Sequence, residues 1–181
     1  MSKQTKPAKS GDDFIPDDVV SSGSANYMKL VVGENKIRII SKPAIGWLEW
    51  IDKKPTRTQI GEQPDGQDDE NPPKKFMALV VIDRDDNEVK VMELTQQSVI
   101  KAIKALSANP DWGNPFSYDI TIKKSGEGMK TKYVVTPSPK KPLEKALVKA
   151  AQDKPCNLDA LHDGGDPFAE DQDEYTEYQF K

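Results

Sequence analysis

Apolar and polar residues alternate along several stretches of the chain, which predicts four strands, and a continuous apolar run at 75–83 predicts a fifth. Successive side chains of a strand point to opposite faces, so a period of two marks a half-buried strand. We expect the first strand to be long and bent, because Pro43 separates two runs and the second run is apolar on both faces. The runs that predict strands are 35–41 with 45–51, 75–83, 88–94, 116–124 and 129–137.

Two stretches have the period of a helix instead. In residues 96–107, apolar side chains recur one turn apart, and Thr95 before them is of a type that caps helix N-termini. Residues 142–152 predict a second, shorter amphipathic helix. The element order predicts a mainly β fold, a five-stranded OB-like barrel with a helix between strands 3 and 4. Other five-stranded barrels and α+β sandwiches share this order.

The two ends of the chain lack such periodicity, and the predicted strands and helices lie between them. We expect a flexible N-terminal arm in residues 1–26, a binding domain in 27–152 and an acidic, disordered C-terminal tail in 153–181. Within the binding domain, residues 52–75 contain Ile60 as their sole apolar residue, and they predict a long loop. Only 35% of the 181 residues are apolar, which is too few to pack the whole length into a core.

The formal net charge of −4 conceals two regions of opposite sign. Residues 27–147 carry 20 basic against 17 acidic side chains, a net of +3. Residues 148–181 carry 3 against 9, a net of −6. A basic body joined to an acidic tail favours a polyanionic ligand for the body.

The chain lacks the residues that several classes of function require. The single cysteine, Cys156, and the single histidine, His162, cannot supply a disulfide or the four ligands of a structural zinc site. Both lie in or beside the tail, where nothing would orient a catalytic nucleophile. The acidic run 68–70 could hold a divalent ion, but its composition favours a solvated charge run. We therefore expect no enzyme, no cofactor and no metal, and, without a signal or membrane segment, a cytoplasmic protein.

Basic and aromatic residues recur together on and beside the predicted strands. Single-stranded DNA attracts Lys and Arg through its phosphates, and its unpaired bases stack on aromatic rings at roughly 1–3 kcal/mol per base. The pattern therefore predicts binding of single-stranded DNA. The residues expected at this surface are Arg38, Lys42, Trp47, Trp50, Lys53, Lys54, Arg57, Lys74, Lys75, Phe76, Lys123, Lys130, Lys132 and Tyr133.

The aromatic residues also have a structural interpretation. Trp47, Phe76 and Tyr118 can each belong to the core, whereas Trp50 and Tyr133 lie among charged neighbours and either stack on bases or pack. If the basic residues are ordinary surface, the domain is instead a protein-interaction adaptor that does not bind DNA directly.

The tail intersperses acidic residues with four aromatic ones. Such a segment is typical of a short linear motif that a basic partner binds. Its tether also keeps it near the body, so we expect it to compete with DNA phosphates for the binding groove. The residues expected to bind partners are Asp166, Phe168, Tyr175, Tyr178 and Phe180.

Residues 33–50, 95–106 and 111–143, with the acidic tail, resemble the OB-fold single-stranded-DNA-binding proteins of tailed bacteriophages and related mobile elements. The resemblance covers residues 27–150, and GWLEW (46–50) is among its most specific stretches. It implies sequence-independent coating and protection of DNA during replication, recombination or repair of a phage genome in the bacterial cytoplasm. It also implies replication or recombination proteins as partners of the tail. Self-association along DNA is compatible with this role.

Overall fold

Strands dominate the computed structural model, which describes residues 24–66 and 69–181. The prediction of a mainly β fold is confirmed. Most of the predicted arm, residues 1–23, lies outside the described residues. Neither α-helix in the described ranges is long and apolar enough to cross a membrane. The elements are β1 (Tyr27–Met28), β2 (Gly33–Ile39), β3 (Ala44–Ile51), β4 (Lys54–Gln59), β5 (Lys74–Asp83), β6 (Glu88–Leu94), α1 (Gln97–Ala108), β7 (Ile120–Ser125), β8 (Lys132–Pro137) and α2 (Lys145–Gln152).

Strand β5 is the centre of the sheet. One of its edges pairs with β6 along residues 77–83. The other edge pairs with β2 at residues 81–83 and with β3 at residues 74–78. Strands β2 and β3 are therefore two parts of the long bent strand that the sequence predicts, with the bend at residues 40–43. Strand β7 lies beside β2, and β8 lies beside β7.

The sheet is open rather than closed by hydrogen bonds. Strand β1 pairs in parallel with the outer edge of β6, and in the described part of the chain β8 pairs with β7 alone. Helix α1 packs against both β6 and β8. The five expected strands and the helix between the third and fourth are present in order, but a closed five-stranded barrel is not established.

Each face of the sheet has its own core, because β5 is buried on both sides. On the side that we call the inner face, Met77, Leu79 and Val81 pack with α1. On the outer face, Phe76 and Val80 pack with α2 and with residues that follow it. An uninterrupted apolar run is the sequence signature of such a strand.

The C-terminal segment, residues 153–181, differs from the expected disordered tail because it packs on the outer face. Cys156 is fully buried, and Leu158 and Leu161 are each 2% exposed. The last residues are joined to the bend of the long strand, where the backbone N–H of Gln179 donates to the carbonyl of Ile40 at 2.7 Å. The apolar residues of this segment are irregularly spaced, so neither a helical nor a strand period marks them.

The prediction of a loop over 52–75 is wrong for residues 54–59, which form β4. This strand pairs with β3 through a two-residue hairpin turn in which Asp52 and Lys53 have φ values of 50° and 62°. Positive φ at both turn residues is the geometry of a type I′ turn, for which Asn-Gly or Asp-Gly is the usual signal. Asp-Lys does not give that signal. The side chains of β4 are mostly polar, so its sequence shows no alternation of apolar and polar residues.

Two local boundaries also differ from the prediction. Thr95 is not the N-cap: Gln96 occupies that position, and no side chain caps the helix. Residues 116–119 are not in a strand, although Phe116 and Tyr118 are buried as their spacing predicts. The Tyr118 hydroxyl donates to the carbonyl of Gly113 at 3.0 Å, which holds this segment in a loop before β7.

Candidate nucleic-acid interface

Trp47 and Lys75 lie side by side on the inner face. They are directly opposite each other in the β3–β5 pairing, and opposite residues of an antiparallel pair project on the same side. The Lys75 Nζ lies 5.2 Å from the centroid of the indole ring, a cation–π distance. The Trp47 Nε1 donates to the carbonyl of Ile60 at 3.0 Å, which fixes the edge of the ring.

These two residues line an open cleft of about 520 Å³, which we call the Trp47 cleft. It forms where the start of β5 meets the connection from β6 to α1. Both lysines that line it are exposed, so their ammonium groups are available to an anion. The lining residues are Trp47, Lys74, Lys75, Thr95, Gln96 and Gln97.

Exposed apolar side chains lie beside the indole. Ile45 lies two positions before Trp47 on the same strand face and is 46% exposed. Ile60, whose carbonyl accepts from the indole, is 42% exposed. A ring, two cations and two exposed aliphatic side chains thus form one surface that suits a flat, anionic ligand.

Trp50 lies on the opposite face of β3 from Trp47. The two are three positions apart, and an odd spacing in a strand reverses the side. Trp50 pairs with Pro55 and is 52% exposed. A DNA strand that lies along one face of the hairpin therefore meets one tryptophan and not the other.

Arg38 and Phe76, both expected at the DNA surface, are structural residues. Arg38 is 2% exposed, and its Nε donates to Asp119 Oδ1 at 2.8 Å while its Nη2 donates to the carbonyl of Lys141 at 2.9 Å. Phe76 is also 2% exposed, and its ring centroid lies 5.8 Å from that of His162. The alternation places Arg38 correctly on the face opposite Ile37, but that face is buried too.

Two further expected residues are engaged within the protein. Arg57 forms a forked ion pair with Glu93, at 2.6 and 3.2 Å, and both side chains are largely buried. Tyr133 is half-buried and packs against the inner core, which favours the packing interpretation over stacking.

The eight expected lysines are all exposed, but they are divided between different parts of the sheet. Lys74 and Lys75 line the Trp47 cleft, and Lys53 and Lys54 stand at the turn of the β3–β4 hairpin. Lys42 lies at the bend of the long strand. The remaining three belong to the β7–β8 hairpin, which β2 separates from β5. These are Lys123, Lys130 and Lys132.

Most aromatic residues of the C-terminal segment pack on the protein. Phe168 lies under the Lys154 ammonium group at 4.7 Å, and the rings of Tyr178 and Phe180 meet edge to face. Burial raises the pKa of the Tyr178 hydroxyl, which donates to the carbonyl of Lys154 at 2.7 Å. Tyr175 differs, being 47% exposed.

Asp166 has a local role in the same segment. Its Oδ1 accepts from the backbone N–H of Phe168 at 2.9 Å, which closes a turn.

Sequence reasoning missed Thr95, Gln96 and Gln97 as lining residues of the cleft. Their signal is a run of three polar residues directly before a helix, which resembles an ordinary helix start. The possible ion site at residues 68–70 includes Asp68, which lies outside the described residues. Within the described ranges, no three His, Cys, Asp or Glu side chains are grouped as metal ligands.

Comparison with known proteins gives one local similarity. No protein-family model matches the chain. No solved structure matches it. A stretch of 63 residues, 35% of the chain, is 41% identical to a protein of Escherichia phage T5 described as a probable ssDNA-binding protein. That stretch covers 24% of the phage protein, so the similarity concerns a segment of each chain.

Proposed function

We propose that this protein binds single-stranded DNA through the Trp47 cleft and the exposed lysines around it. The observation that carries the proposal is the Lys75 ammonium group held 5.2 Å from the Trp47 ring at an open surface. The local similarity to a phage protein described as a probable ssDNA-binding protein supports the same ligand.

The cleft supplies the two interactions that a single strand needs. In the proposed complex the flexible Lys75 side chain moves from the indole face to a phosphate, and a base stacks on the ring in its place, which contributes roughly 1–3 kcal/mol. Lys74 lies near a second phosphate. Bases in a duplex already stack on their neighbours, so only an unpaired base can use the ring. Binding requires no bond to form or break, and we propose a binding protein rather than an enzyme.

We further propose a biological role for the protein and a relation of its fold to the OB-like fold. The five main strands with α1 between the third and fourth follow the order of an OB-like fold, here in an open form. In this role the protein coats and protects single strands during replication, recombination or repair of a phage genome in the cytoplasm of the bacterial host.

The C-terminal segment is the proposed site of partner recruitment. Tyr175 is exposed among Asp173, Glu174 and Glu177, which together offer an acidic and aromatic surface to a basic partner such as a replication protein. Competition with DNA would require the segment to leave the outer face, since its contacts there do not involve the cleft.

A binding titration tests the proposed ligand. Labelled single-stranded and duplex oligonucleotides of equal length are titrated with the full chain at increasing salt, with fluorescence anisotropy as the readout. The single strand is expected to bind more tightly than the duplex. Its affinity should fall steeply with added salt, because the entropy gained when binding releases counterions from the phosphates becomes smaller. Equal affinity for the duplex, or no binding at low salt, contradicts the proposal; the second result would favour a protein-interaction adaptor.

A further inference from the structure

The outer face of the sheet is covered over only part of its width. The C-terminal segment and α2 pack over β3, β5 and β6, whereas the outward side chains of β7, of β8 and of the first half of β2 are mostly exposed. Strand pairing arranges these side chains in rows, in which Lys123 lies opposite both Glu34 and Val134. The residues that define this surface, which we call the bare face, are Glu34, Lys36, Lys123, Lys132, Val134 and Thr136.

The bare face combines positive charge with an exposed aliphatic side chain. Its residues include three lysines against one glutamate, and within the described ranges neither Lys123 nor Lys132 forms an ion pair. Val134 lies opposite Lys123 and is 57% exposed. Tyr133 packs against the inner core, so the residues that define the bare face include no ring on which a base could stack. Such a surface suits an acidic protein surface better than it suits single-stranded DNA.

Residues 163–177 have the complementary charge. They contain seven acidic residues and no Lys or Arg. All seven are exposed, and none of them forms an ion pair with any residue that the structure describes. Tyr175, 47% exposed, lies between Glu174 and Glu177. The segment is held on the protein, since Phe168 packs against the core of the outer face, and it therefore presents a fixed acidic surface.

We propose that the bare face binds residues 163–177 of a second copy of this chain, so that two copies pair about a two-fold axis. Both surfaces belong to the outer side of the sheet. A two-fold axis therefore lets each copy offer its acidic segment to the bare face of the other, and every contact occurs twice. Val134 and Tyr175 supply apolar area within a charged rim, the usual arrangement of a protein interface.

The Trp47 cleft is compatible with this pairing, because Trp47 and Lys75 project from the inner face of the sheet. The dimer can therefore hold DNA at two clefts. The inference rests on the proposed role of the C-terminal segment in recruiting a basic partner, and it identifies that partner as a second copy.

Sedimentation velocity of the full chain without DNA, at low salt and over a range of protein concentrations, measures the association. The wild type is expected to form a reversible dimer that added salt dissociates, because the contact is mainly between exposed charges. The double variant Lys123→Glu/Lys132→Glu reverses the charge of the bare face, and Asp173→Lys/Glu174→Lys reverses that of the acidic segment. Each is expected to raise the dissociation constant of the dimer at least about tenfold, because like charges then face each other.

Mixing the two double variants gives the sharpest result. An equimolar mixture is expected to dimerise again, since the reversed charges of one variant complement those of the other at both contacts. The matched control Lys101→Glu/Lys104→Glu makes the same change of net charge on the exposed side of α1 and is expected to dimerise like the wild type. Circular dichroism checks each fold, and Lys123→Gln/Lys132→Gln repeats the test if the reversed variant is unfolded.

The results that overturn this pairing are distinct from a failure to bind DNA. A wild type that stays monomeric at every concentration refutes it, as does a mixture that stays monomeric. Equal weakening by the α1 control also refutes it, since net charge alone would then account for the effect. If the bare-face variant dimerises like the wild type yet binds DNA more weakly, the bare face contacts DNA instead. The titration of the wild type with DNA reports separately on the proposed function.

Discussion

Replacing Arg38 with alanine is expected to destabilise the fold and to leave DNA binding by the folded protein unchanged. The guanidinium joins β2 to two later segments, through Asp119 at 2.8 Å and the carbonyl of Lys141 at 2.9 Å. Removing one partner of a buried ion pair costs about 3–5 kcal/mol, because the other charge remains buried without compensation. Arg84, whose Nε lies 3.5 Å from Asp119 Oδ2, still neutralises part of that charge. We therefore expect about 3 kcal/mol, the lower end of the range.

Urea denaturation measures this loss, and a second variant separates it from an effect on the ligand. Lys75→Ala removes an exposed cation from the Trp47 cleft, so it should weaken DNA binding with little change in the free energy of unfolding. Arg38→Ala should do the reverse. The reasoning is refuted if Arg38→Ala unfolds at the same urea concentration as the wild type yet binds DNA more weakly. In that case the arginine would face the ligand, as its place in the basic pattern suggests.

Three further predictions concern the outer face. Burial, and to a lesser extent the Asp166 carboxylate, raises the pKa of the Cys156 thiol to about 12. A thiol reagent at neutral pH should therefore label Cys156 slowly in the native protein and rapidly in urea. Rapid labelling of the native protein would mean that the C-terminal segment is not packed. Gly46→Ala should lower stability by about 1–3 kcal/mol, since its Cβ would overlap the Thr58 carbonyl and lie 2.8 Å from the Phe76 ring. The control Gly61→Ala has nothing within 4 Å of the added carbon, and equal melting of the two variants would contradict the packing. Deleting residues 155–181 should lower the melting temperature, because the deletion exposes the core of the outer face. An unchanged melting temperature would instead indicate that these residues form a disordered tail.

The sequence determines the strands well where alternation and a turn signal coincide. Strand β6 begins and ends at the predicted residues 88 and 94, because Asp85–Asn87 marks the turn before it and Val89 and Val91 alternate with Glu88 and Lys90. Strand β4 could not be found in this way, since its side chains are polar and its turn lacks glycine.

The candidate site depends on contacts that no local pattern contains. Trp47 and Lys75 are 28 positions apart and meet through strand pairing, and Gln97 reaches the same cleft from the start of a helix. Whether Arg38 faces solvent depends on what covers the second face of the sheet. That cover comes from later segments, whose apolar residues have no regular period.

Comparison of Trp47→Ala with Trp50→Ala tests the central claim most directly. Both variants remove one tryptophan from β3, but the two rings lie on opposite faces of the strand. Affinity for a single-stranded oligonucleotide is measured by anisotropy at low salt, at a temperature at which both variants are folded. Trp47→Ala is expected to weaken binding by roughly 1–3 kcal/mol, about 5- to 150-fold in Kd, and Trp50→Ala to change it little. Loss of affinity in Trp50→Ala, with Trp47→Ala binding like the wild type, would place the DNA on the other face and contradict the account.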